Sequence, residues 1–379
     1  MFMSGIYIHI PFCKQACHYC DFHFSTNLKY KAQIIDALCD ELRFRESEYK
    51  NTSVQTIYFG GGTPSVLDIH EVEKILEVVD DHYQVNERAE ITLEANPDDL
   101  TLEKIMELSK TRINRLSIGV QSFFEEDLKL MNRAHSAEEA QACIEEAVKY
   151  FPNISIDMIY GIPGMSNDRW RENLYKAISL KIPHISSYAL TVEENTALKS
   201  FIEKGIVPQV EDEVAQEHFN ILLDVMQLHS FENYEFSNFG KQGFFSENNT
   251  AYWTGKSYIG IGPSAHSFDG KRRGWNISNN VKYMKAIQAG KLPMEIEELT
   301  LVDQYNEYIM TGLRTIYGVS LEKIERDYGV NFKDYLLKQA QEYLKDHLLY
   351  LDGDTLLVTR KGKFLSDGIA SELFMLNLS

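Results

Sequence analysis

The sequence predicts an α/β fold built on a parallel sheet, because strand-like and helix-like segments alternate from residue 4 to about 190. Asp68 with Glu71, and Ser136 with Glu139, form capping boxes that mark the starts of two of the helices. The predicted strands are short and rich in β-branched residues, and each ends near Gly, Pro or Asn. They are Ile6–Ile10, Val54–Phe59, Glu90–Glu94, Arg115–Val120, Ile154–Ile159 and His184–Leu190.

Six strand–helix units fit either a doubly wound sheet or a partial (β/α)6 barrel, and periodicity does not separate the two. The positions of the unusual residues favour the barrel. Glycine-rich, acidic and amide residues follow the carboxyl ends of successive strands, where barrel proteins build their sites. The segments concerned are GGGTP (60–64), EANP (94–97), GVQSF (119–123) and Asp157 ahead of GIPG (161–164).

The alternation of strand-like and helix-like segments stops after about residue 190. Helical patterns cover roughly 194–204 and 211–230, and an aromatic- and Asn-rich stretch follows over 233–254. A smaller segment from about 291 contains a candidate hairpin, Leu348–Leu351 with Leu356–Thr359. We predict three units: a barrel over 1–200, an extension over 201–290 that completes the barrel mouth, and a mostly helical, winged-helix-like domain over 291–379.

Composition restricts the class of partner and the compartment. The chain has 56 acidic and 38 basic residues and a net charge of -18, which argues against nucleic acid because that affinity depends on Lys and Arg meeting phosphates. The start lacks the basic segment of a signal peptide, and no apolar run reaches the ~20 residues that span a bilayer. We expect a cytoplasmic protein, with membrane contact only through a partner.

Three of the five cysteines lie in CKQACHYC, directly after the first predicted strand. Cys13, Cys17 and Cys20 can hold three corners of a cubane iron–sulfur cluster and leave one iron for an external ligand. Zinc stays open as an alternative, since a nearby histidine could supply a fourth ligand, although no distant cysteine pair exists. The candidate histidines are His9, His18 and His23. Cys39 and Cys143 stand alone in helical patterns and are most simply core residues.

The segment after the second strand, GGGTP, frees the backbone to approach a ligand closely. A phosphate loop is a weak alternative, because the G-x-G-x-x-G spacing and a following Lys-Ser/Thr pair are absent. A tight turn accounts for one or two of these glycines. Several polar groups at successive strand ends instead favour one convergent site.

The segments YIHIPFCKQACHYCDF, YFGGGTPS, EANP, NRLSIGVQSF, SIDMIYGIPG and NFGKQGFFSENNTAYW resemble, in order, those of oxygen-independent coproporphyrinogen III oxidase-like radical S-adenosylmethionine (SAM) proteins. The resemblance implies a partial (β/α)6 barrel whose three cysteines hold a [4Fe–4S] cluster, with SAM on the fourth iron. It also implies SAM contacts from Tyr7, Tyr19, Gly61, Gly62, Thr63, Glu94, Gln121, Arg133 and Asp157. Arg133 suits a carboxylate, and Glu94 and Asp157 suit ribose hydroxyls.

Two branches of this family differ in function. In the oxidase branch, SAM chemistry decarboxylates porphyrinogen propionates in haem biosynthesis; in the haem chaperone (HemW-type) branch, the protein binds haem and passes it to acceptor proteins. Oxidases carry a further cysteine two positions after the third cluster ligand, where this chain has Phe22, and an extension ahead of the motif. The resemblance therefore favours a chaperone, with the oxidase as the alternative and a radical SAM enzyme with another substrate as a third possibility. An electron donor for the cluster is a further expected partner.

The haem ligand is not evident from the motif. The chaperone branch usually shows His-Asn-x-x-Tyr-Trp, whereas this chain has Asn248 in the histidine's place, and an asparagine is not an ordinary iron ligand. His266 is an alternative axial ligand, although a histidine that bonds to backbone fits that position equally. Trp275 follows three basic residues that could meet haem propionates. These are Lys271, Arg272 and Arg273.

Overall fold

A computed structural model of the protein describes residues 4–49 and 52–376. Its strands are β1 (Ser4–Ile10), β2 (Ser53–Gly61), β3 (Gln84–Ala95), β4 (Arg115–Gln121), β5 (Asn153–Tyr160), β6 (His184–Ala189), β7 (Glu232–Glu235), β8 (Asn238–Gly240), β9 (Ser257–Ile261), β10 (His266–Phe268), β11 (Arg272–Asn276), β12 (Met294–Glu298), β13 (Val319–Ser320), β14 (Leu349–Asp352) and β15 (Thr355–Val358). All six predicted strands are present, and β3 begins six residues earlier than expected.

The helices are α1 (Lys31–Arg45), α2 (Ile69–His82), α3 (Leu102–Leu108), α4 (Glu125–Leu130), α5 (Ala137–Ala147), α6 (Asn167–Ser179), α7 (Ala197–Glu203), α8 (Asp212–Leu228), α9 (Glu247–Trp253), α10 (Asn280–Gln288), α11 (Leu301–Leu313), α12 (Leu321–Tyr328), α13 (Val330–Gln339), α14 (Gln341–Lys345) and α15 (Ser366–Glu372). Both predicted capping boxes form, at Asp68–Glu71 and at Ser136–Glu139.

Strands β1 to β6 lie side by side in chain order and are parallel, with a helix between each consecutive pair. The α/β class with a parallel sheet is therefore confirmed. The described strands of the large sheet run in the order β12-β11-β10-β9-β1-β2-β3-β4-β5-β6-β8-β7, so β12 and β7 are its two edges. The carboxyl ends of the parallel strands share one end of the sheet, which we call the mouth; the opposite end is the base.

Alternation along β1 separates the two faces of the sheet. Ile6, Ile8 and Ile10 are fully buried in the main core, whereas Tyr7 and His9 point the other way. The strand register places four other polar side chains on the same face as Tyr7. This inner face carries Tyr7, Tyr58, Glu94, Ser117 and Asp157.

The segment 201–290 contributes strands to both sides of the parallel sheet. Strands β7 and β8 extend it beyond β6, and β9 to β11 extend it beyond β1. Within the same segment, α9 contacts β1 and β2 near their amino-terminal ends, at the base. We expected this segment to complete the mouth. The structure shows that its strands extend the sheet at both sides and that its helix α9 lies at the base.

A second cluster of buried apolar residues lies between Tyr305 and Leu373, apart from the main core. It joins α11 to α15 with the three-stranded sheet β13-β15-β14, and it includes the predicted hairpin as β14 and β15. The two cores agree with a separate C-terminal unit, while the boundaries at 200 and 290 stay predictions. No helix of the described residues is long and apolar enough to cross a membrane.

Candidate functional site at the mouth of the sheet

The three clustered cysteines lie in the loop that leaves β1 at the mouth. Cys13 is buried, and Cys17 and Cys20 are half-buried. The loop is held against residues 130–132: His18 donates its backbone N–H to the Met131 carbonyl at 3.1 Å, and Asn132 donates from its side chain to the Ala16 carbonyl at 2.8 Å. The cysteine loop is thus positioned by the segment that follows α4.

Two of the sulfurs already accept hydrogen bonds. Thr63 donates its hydroxyl to Cys13 Sγ, and Arg133 donates Nη1 to Cys17 Sγ, both at 3.3 Å. Burial raises the pKa of the Cys13 thiol to about 11, with the Thr63 bond opposing the rise, and burial also raises the pKa of Cys20. Cluster binding to such thiols releases protons, since the ligand form is the thiolate.

Among the described residues, no three His, Cys, Asp or Glu side chains are arranged to hold a single metal ion. Cysteines that bind separate irons of one cluster need not converge on one point. The histidines considered as a fourth zinc ligand are engaged elsewhere. His9 Nε2 bonds the His23 carbonyl at 2.9 Å, His18 Nδ1 bonds the Leu130 carbonyl at 2.8 Å, and His23 Nε2 bonds Asn280 Oδ1 at 2.7 Å.

The three glycines at the end of β2 are required by close contacts within the chain. Gly61 has φ +104°, and a Cβ there would lie 2.4 Å from His9 Nδ1. A Cβ on Gly62 would lie 2.6 Å from the Phe12 carbonyl oxygen, and one on Gly60 would lie 2.9 Å from the Tyr58 ring. We expected a turn to explain at most two of them; their packing against the β1 end and the inner face explains all three.

The N–H groups of this glycine segment are also occupied. Gly62 and Thr63 donate to the carbonyls of Ile10 and Phe12 at 2.9 and 2.7 Å, and Gly61 donates to the Glu94 carboxylate. These N–H groups are therefore not free to bind a phosphate, which agrees with the weak sequence support for a phosphate loop.

Arg133 is a half-buried cation beside the cysteine loop. Its Nη2 donates to Asn96 Oδ1 and to the Gly119 carbonyl, both at 2.7 Å, while its Nε is buried without a partner. A buried guanidinium donor without an acceptor costs free energy, and a ligand carboxylate at this point would satisfy it. Residues beside it also fit a bound ligand: Tyr19 interacts electrostatically with Arg133, and Gln121, at φ +67°, points its amide toward Gly119.

Two carboxyl groups face each other across the inner face. Burial raises the pKa of Glu94 to about 7; the Tyr58 hydroxyl, which donates to it at 2.7 Å, opposes the rise, and the Asp157 carboxylate adds to it. Burial likewise raises the pKa of Asp157 to about 6, against hydrogen bonds from Ser186 and Ser117. Both groups can accept hydroxyl hydrogens, and Tyr7 lies near Glu94.

His9 is a site residue that we considered only as a metal ligand. A carbonyl cannot donate, so the bond to the His23 carbonyl places the proton on Nε2, and Nδ1 then accepts from the Tyr7 hydroxyl at 3.1 Å. His9 therefore orients Tyr7 and packs on Gly61. Its place on the same face as Tyr7, two residues along β1, was the signal that could have found it.

The residues considered for haem lie in two places: Asn248 is at the base, whereas His266, Trp275 and the basic residues are on β10 and β11 or the turn between them. Asn248 is buried at the base, where Thr56 donates to its Oδ1 at 3.1 Å and its N–H donates to Glu90 at 3.0 Å. His266 is exposed on β10 with its ring 6.3 Å from that of Trp275. Of the basic residues, Arg272 pairs with Asp269 and Arg273 with Glu307, on opposite faces of β11.

Alanine at Gly61 should weaken the site more than alanine at a glycine with room for a methyl group. Gly61→Ala combines a left-handed backbone, which costs about 1–3 kcal/mol, with a clash against His9. Gly164 also has a positive φ, +81°, but nothing lies within 4 Å of its added Cβ. In denaturant unfolding and SAM titration, Gly164→Ala should show the backbone cost alone; equal losses of SAM affinity in both variants would contradict the packing role.

The raised pKa of Glu94 predicts a pH dependence of stability. The folded chain keeps this carboxyl protonated up to about pH 7, whereas the ordinary pKa of 4.5 applies when it is unfolded. The folded state then binds more protons between these values, so the free energy of unfolding falls as the pH rises through this window. Denaturant unfolding of the cluster-free protein should show this fall, and Glu94→Gln should make the slope shallower; an unchanged slope would contradict the assignment.

Comparison with known proteins places this geometry in a family. The Radical SAM superfamily model matches residues 7–176, and the HemN C-terminal domain model matches residues 299–365. The solved structure of coproporphyrinogen III oxidase (HemN) from Escherichia coli superposes with a TM-score of 0.85 at 24% identity, over 99% of this chain and 90% of that one, which shows the shared fold.

Curated relatives match along nearly their whole length. The heme chaperone HemW of Lactococcus lactis is 33% identical over 98% of this chain and 97% of its own, and that of Bacillus subtilis is 32% identical over 97% and 98%. Membership of the radical SAM superfamily implies a [4Fe–4S] cluster and SAM as cofactors, which favours iron–sulfur over zinc. The chain belongs to the radical SAM superfamily and, within it, to the family of the heme chaperone HemW proteins.

Proposed function

We propose that this protein is a haem chaperone: it holds a [4Fe–4S] cluster and SAM at the mouth, binds haem, and transfers the haem to acceptor proteins. The observation that carries the proposal is the full-length likeness to relatives named heme chaperone, 33% identical in the first case. The arrangement at the mouth supports it, because three thiols match the cluster and an unpartnered guanidinium N–H matches the carboxylate group of SAM.

The cluster and SAM supply one-electron chemistry when bound, and the residues of the chain divide the work of holding them. Cys13, Cys17 and Cys20 would ligate three irons, and Arg133 would meet the SAM carboxylate through Nε. The carbonyls at Gly61 and Gly62 would accept from the amino group. The remaining proposed contacts would complete the SAM site. They are Tyr7, Tyr19, Thr63, Gln121 and, at the ribose, Glu94 with Asp157.

The alternative, a coproporphyrinogen III oxidase, has less support. The chain is 24% identical to the E. coli oxidase, and this similarity shows only that the two share a fold. At the position where the oxidases of the resembled family carry a further cysteine, this chain has Phe22, which is 69% exposed beside the cysteine loop. A phenyl ring cannot replace a thiol as a ligand or a proton donor.

The expected partners follow from this proposal. They are haem, at least one haem-acceptor protein and an electron donor for the cluster, with contact to a membrane only through such a partner. The chain has 56 acidic and 38 basic residues, and this acidic excess supports the absence of nucleic acid from the proposed partners. We place the protein in the cytoplasm as part of the same proposal.

The test offers both ligands to the same anaerobically reconstituted protein. With haem we expect a Soret band and transfer of haem to an added apo-acceptor; with coproporphyrinogen, SAM and a reductant we expect no decarboxylated product. Product formation with consumption of SAM would overturn the chaperone and establish the oxidase. Absence of haem binding would also overturn it.

A further inference from the structure

We propose that haem binds in the cleft between the strands β9 to β12 and the C-terminal helices, with His266 as the protein ligand of its iron. This inference rests on the proposed function and adds a place and a ligand to it.

Strand register puts the relevant side chains on one face. His266 pairs with Trp275 and Phe268 with Arg273 in the antiparallel β10–β11 ladder, and Phe268 also pairs with Tyr258 of β9. Directly paired residues share a face, as do residues two apart along a strand. Ser267, which lies between His266 and Phe268 on β10, points to the opposite face and accepts a hydrogen bond from Arg45 at 3.2 Å.

A cleft of about 790 Å³ opens along this face. Its volume lies within the usual range for small-molecule sites, and aromatic rings from both the extension and the C-terminal helices line it. His266 lies two residues, about 6.6 Å, along β10 from the lining residue Phe268. The lining rings are Tyr252, Tyr258, Phe268, Tyr308, Tyr328 and Phe374.

The aromatic lining suits a large flat ring. The Tyr252 and Tyr258 rings meet edge to face, with centroids 4.5 Å apart, and Phe268 continues the row at 6.4 Å from Tyr258. Trp275 lies beside His266 on the same face, outside the lining and two residues along β11 from the lining residue Arg273. A porphyrin placed on such a surface buries apolar area against rings that need no reorganisation.

The His266 side chain is available as a ligand. It is exposed, and its ring makes no hydrogen bond or ion pair with any described residue, in contrast with His9, His18 and His23. Partial desolvation by its neighbours, and then the charge of Arg273, lower the pKa of His266, which favours the neutral imidazole that binds iron. Asn248, by contrast, is enclosed at the base with its oxygen already bonded to Thr56.

The charges at the cleft allow reversible anchoring of propionates. Arg273 is paired with Glu307, and Lys323 is paired with Asp327 at 2.6 Å. Asp303 caps α11 through Thr300, and Glu297 faces Arg273 across β11 and β12. A propionate must therefore compete with protein carboxylates for each cation, so the iron ligand contributes more to affinity than the propionates do, as suits a cargo that is handed on.

The test is a haem titration of the cluster-loaded protein and two variants, followed by Soret difference spectra and EPR of the ferric haem. His266→Ala should weaken haem binding at least about tenfold and change both spectra, because the iron loses its protein ligand. Added imidazole should restore the wild-type spectra. His70→Ala is the matched control, since that side chain is 96% exposed on α2, and it should bind haem as the wild type does.

The outcomes separate the two proposals. If the wild type binds haem and His266→Ala binds it with the same affinity and spectra, the site is wrong and the chaperone function stands. If the wild type does not bind haem, the chaperone function falls and this inference falls with it. Circular dichroism of each variant checks the fold, which an exposed histidine should not disturb.

Discussion

Replacing Cys17 with alanine should leave the anaerobically purified protein almost free of cluster iron and sulfide. Cys17 is half-buried, and its sulfur accepts the Arg133 Nη1 bond, so alanine removes an iron ligand and unpairs a buried guanidinium N–H at once. Loss of a residue that only hydrogen-bonds to a metal ligand costs roughly 10–100-fold in metal affinity. Loss of the ligand itself should cost at least as much. Iron and sulfide analysis with the absorbance spectrum measures the result.

Cys143→Ala is the matched control for this prediction. Cys143 is buried in α5 within the main core, away from the cysteine loop, so its replacement should cost a little stability and no iron. Equal iron content in Cys17→Ala and Cys143→Ala would show that the cluster, if present, does not depend on the loop after β1.

Replacing Glu90 with alanine should lower the free energy of unfolding by about 3 kcal/mol, because it breaks a buried ion pair and removes the acceptor of three hydrogen bonds. The Glu90 carboxylate lies 3.8 Å from Arg115 Nε, and both side chains are almost fully buried. The same carboxylate accepts from the Ser246 hydroxyl and from the N–H groups of Glu247 and Asn248, so it fixes the start of α9 at the base.

Denaturant unfolding measures the change, with Glu87→Ala as the control. Glu87 is exposed on the same strand, and its replacement should stay within about 0.5 kcal/mol of the wild type. Adding Arg115→Met to Glu90→Ala should recover part of the loss, since the buried guanidinium that has lost its ion-pair partner is then removed. A loss below about 1 kcal/mol in Glu90→Ala would mean that this network does not hold α9 in place.

The parallel sheet was predictable because its signals are local. Each of the six strands carries its own β-branched run, and Asp68 with Glu71 forms its capping box within four residues. The strands that extend the sheet carry no such signal. Segments such as Asn238–Gly240 and His266–Phe268 are three residues long, too short for a period, and pair only because the sheet edges are available.

The same distinction applies to the site. The cysteine spacing and the polar strand ends are sequence patterns, and the strands bring them to one mouth. The partners of Arg133 are not such a pattern, because Cys17 lies 116 positions away, and no period links the two. The glycines at the end of β2 were predicted to serve a ligand, yet their neighbours in the fold, His9 and the cysteine loop, already require them.

EPR of the reduced, anaerobically prepared protein, recorded with and without SAM, tests the central claim most directly. If Cys13, Cys17 and Cys20 hold a cubane whose fourth iron is free for SAM, the spectrum should be that of a [4Fe–4S] cluster, and its g values should shift when SAM is added. A protein without a cubane signal, or a cubane signal that SAM leaves unchanged, would contradict the assignment of the mouth.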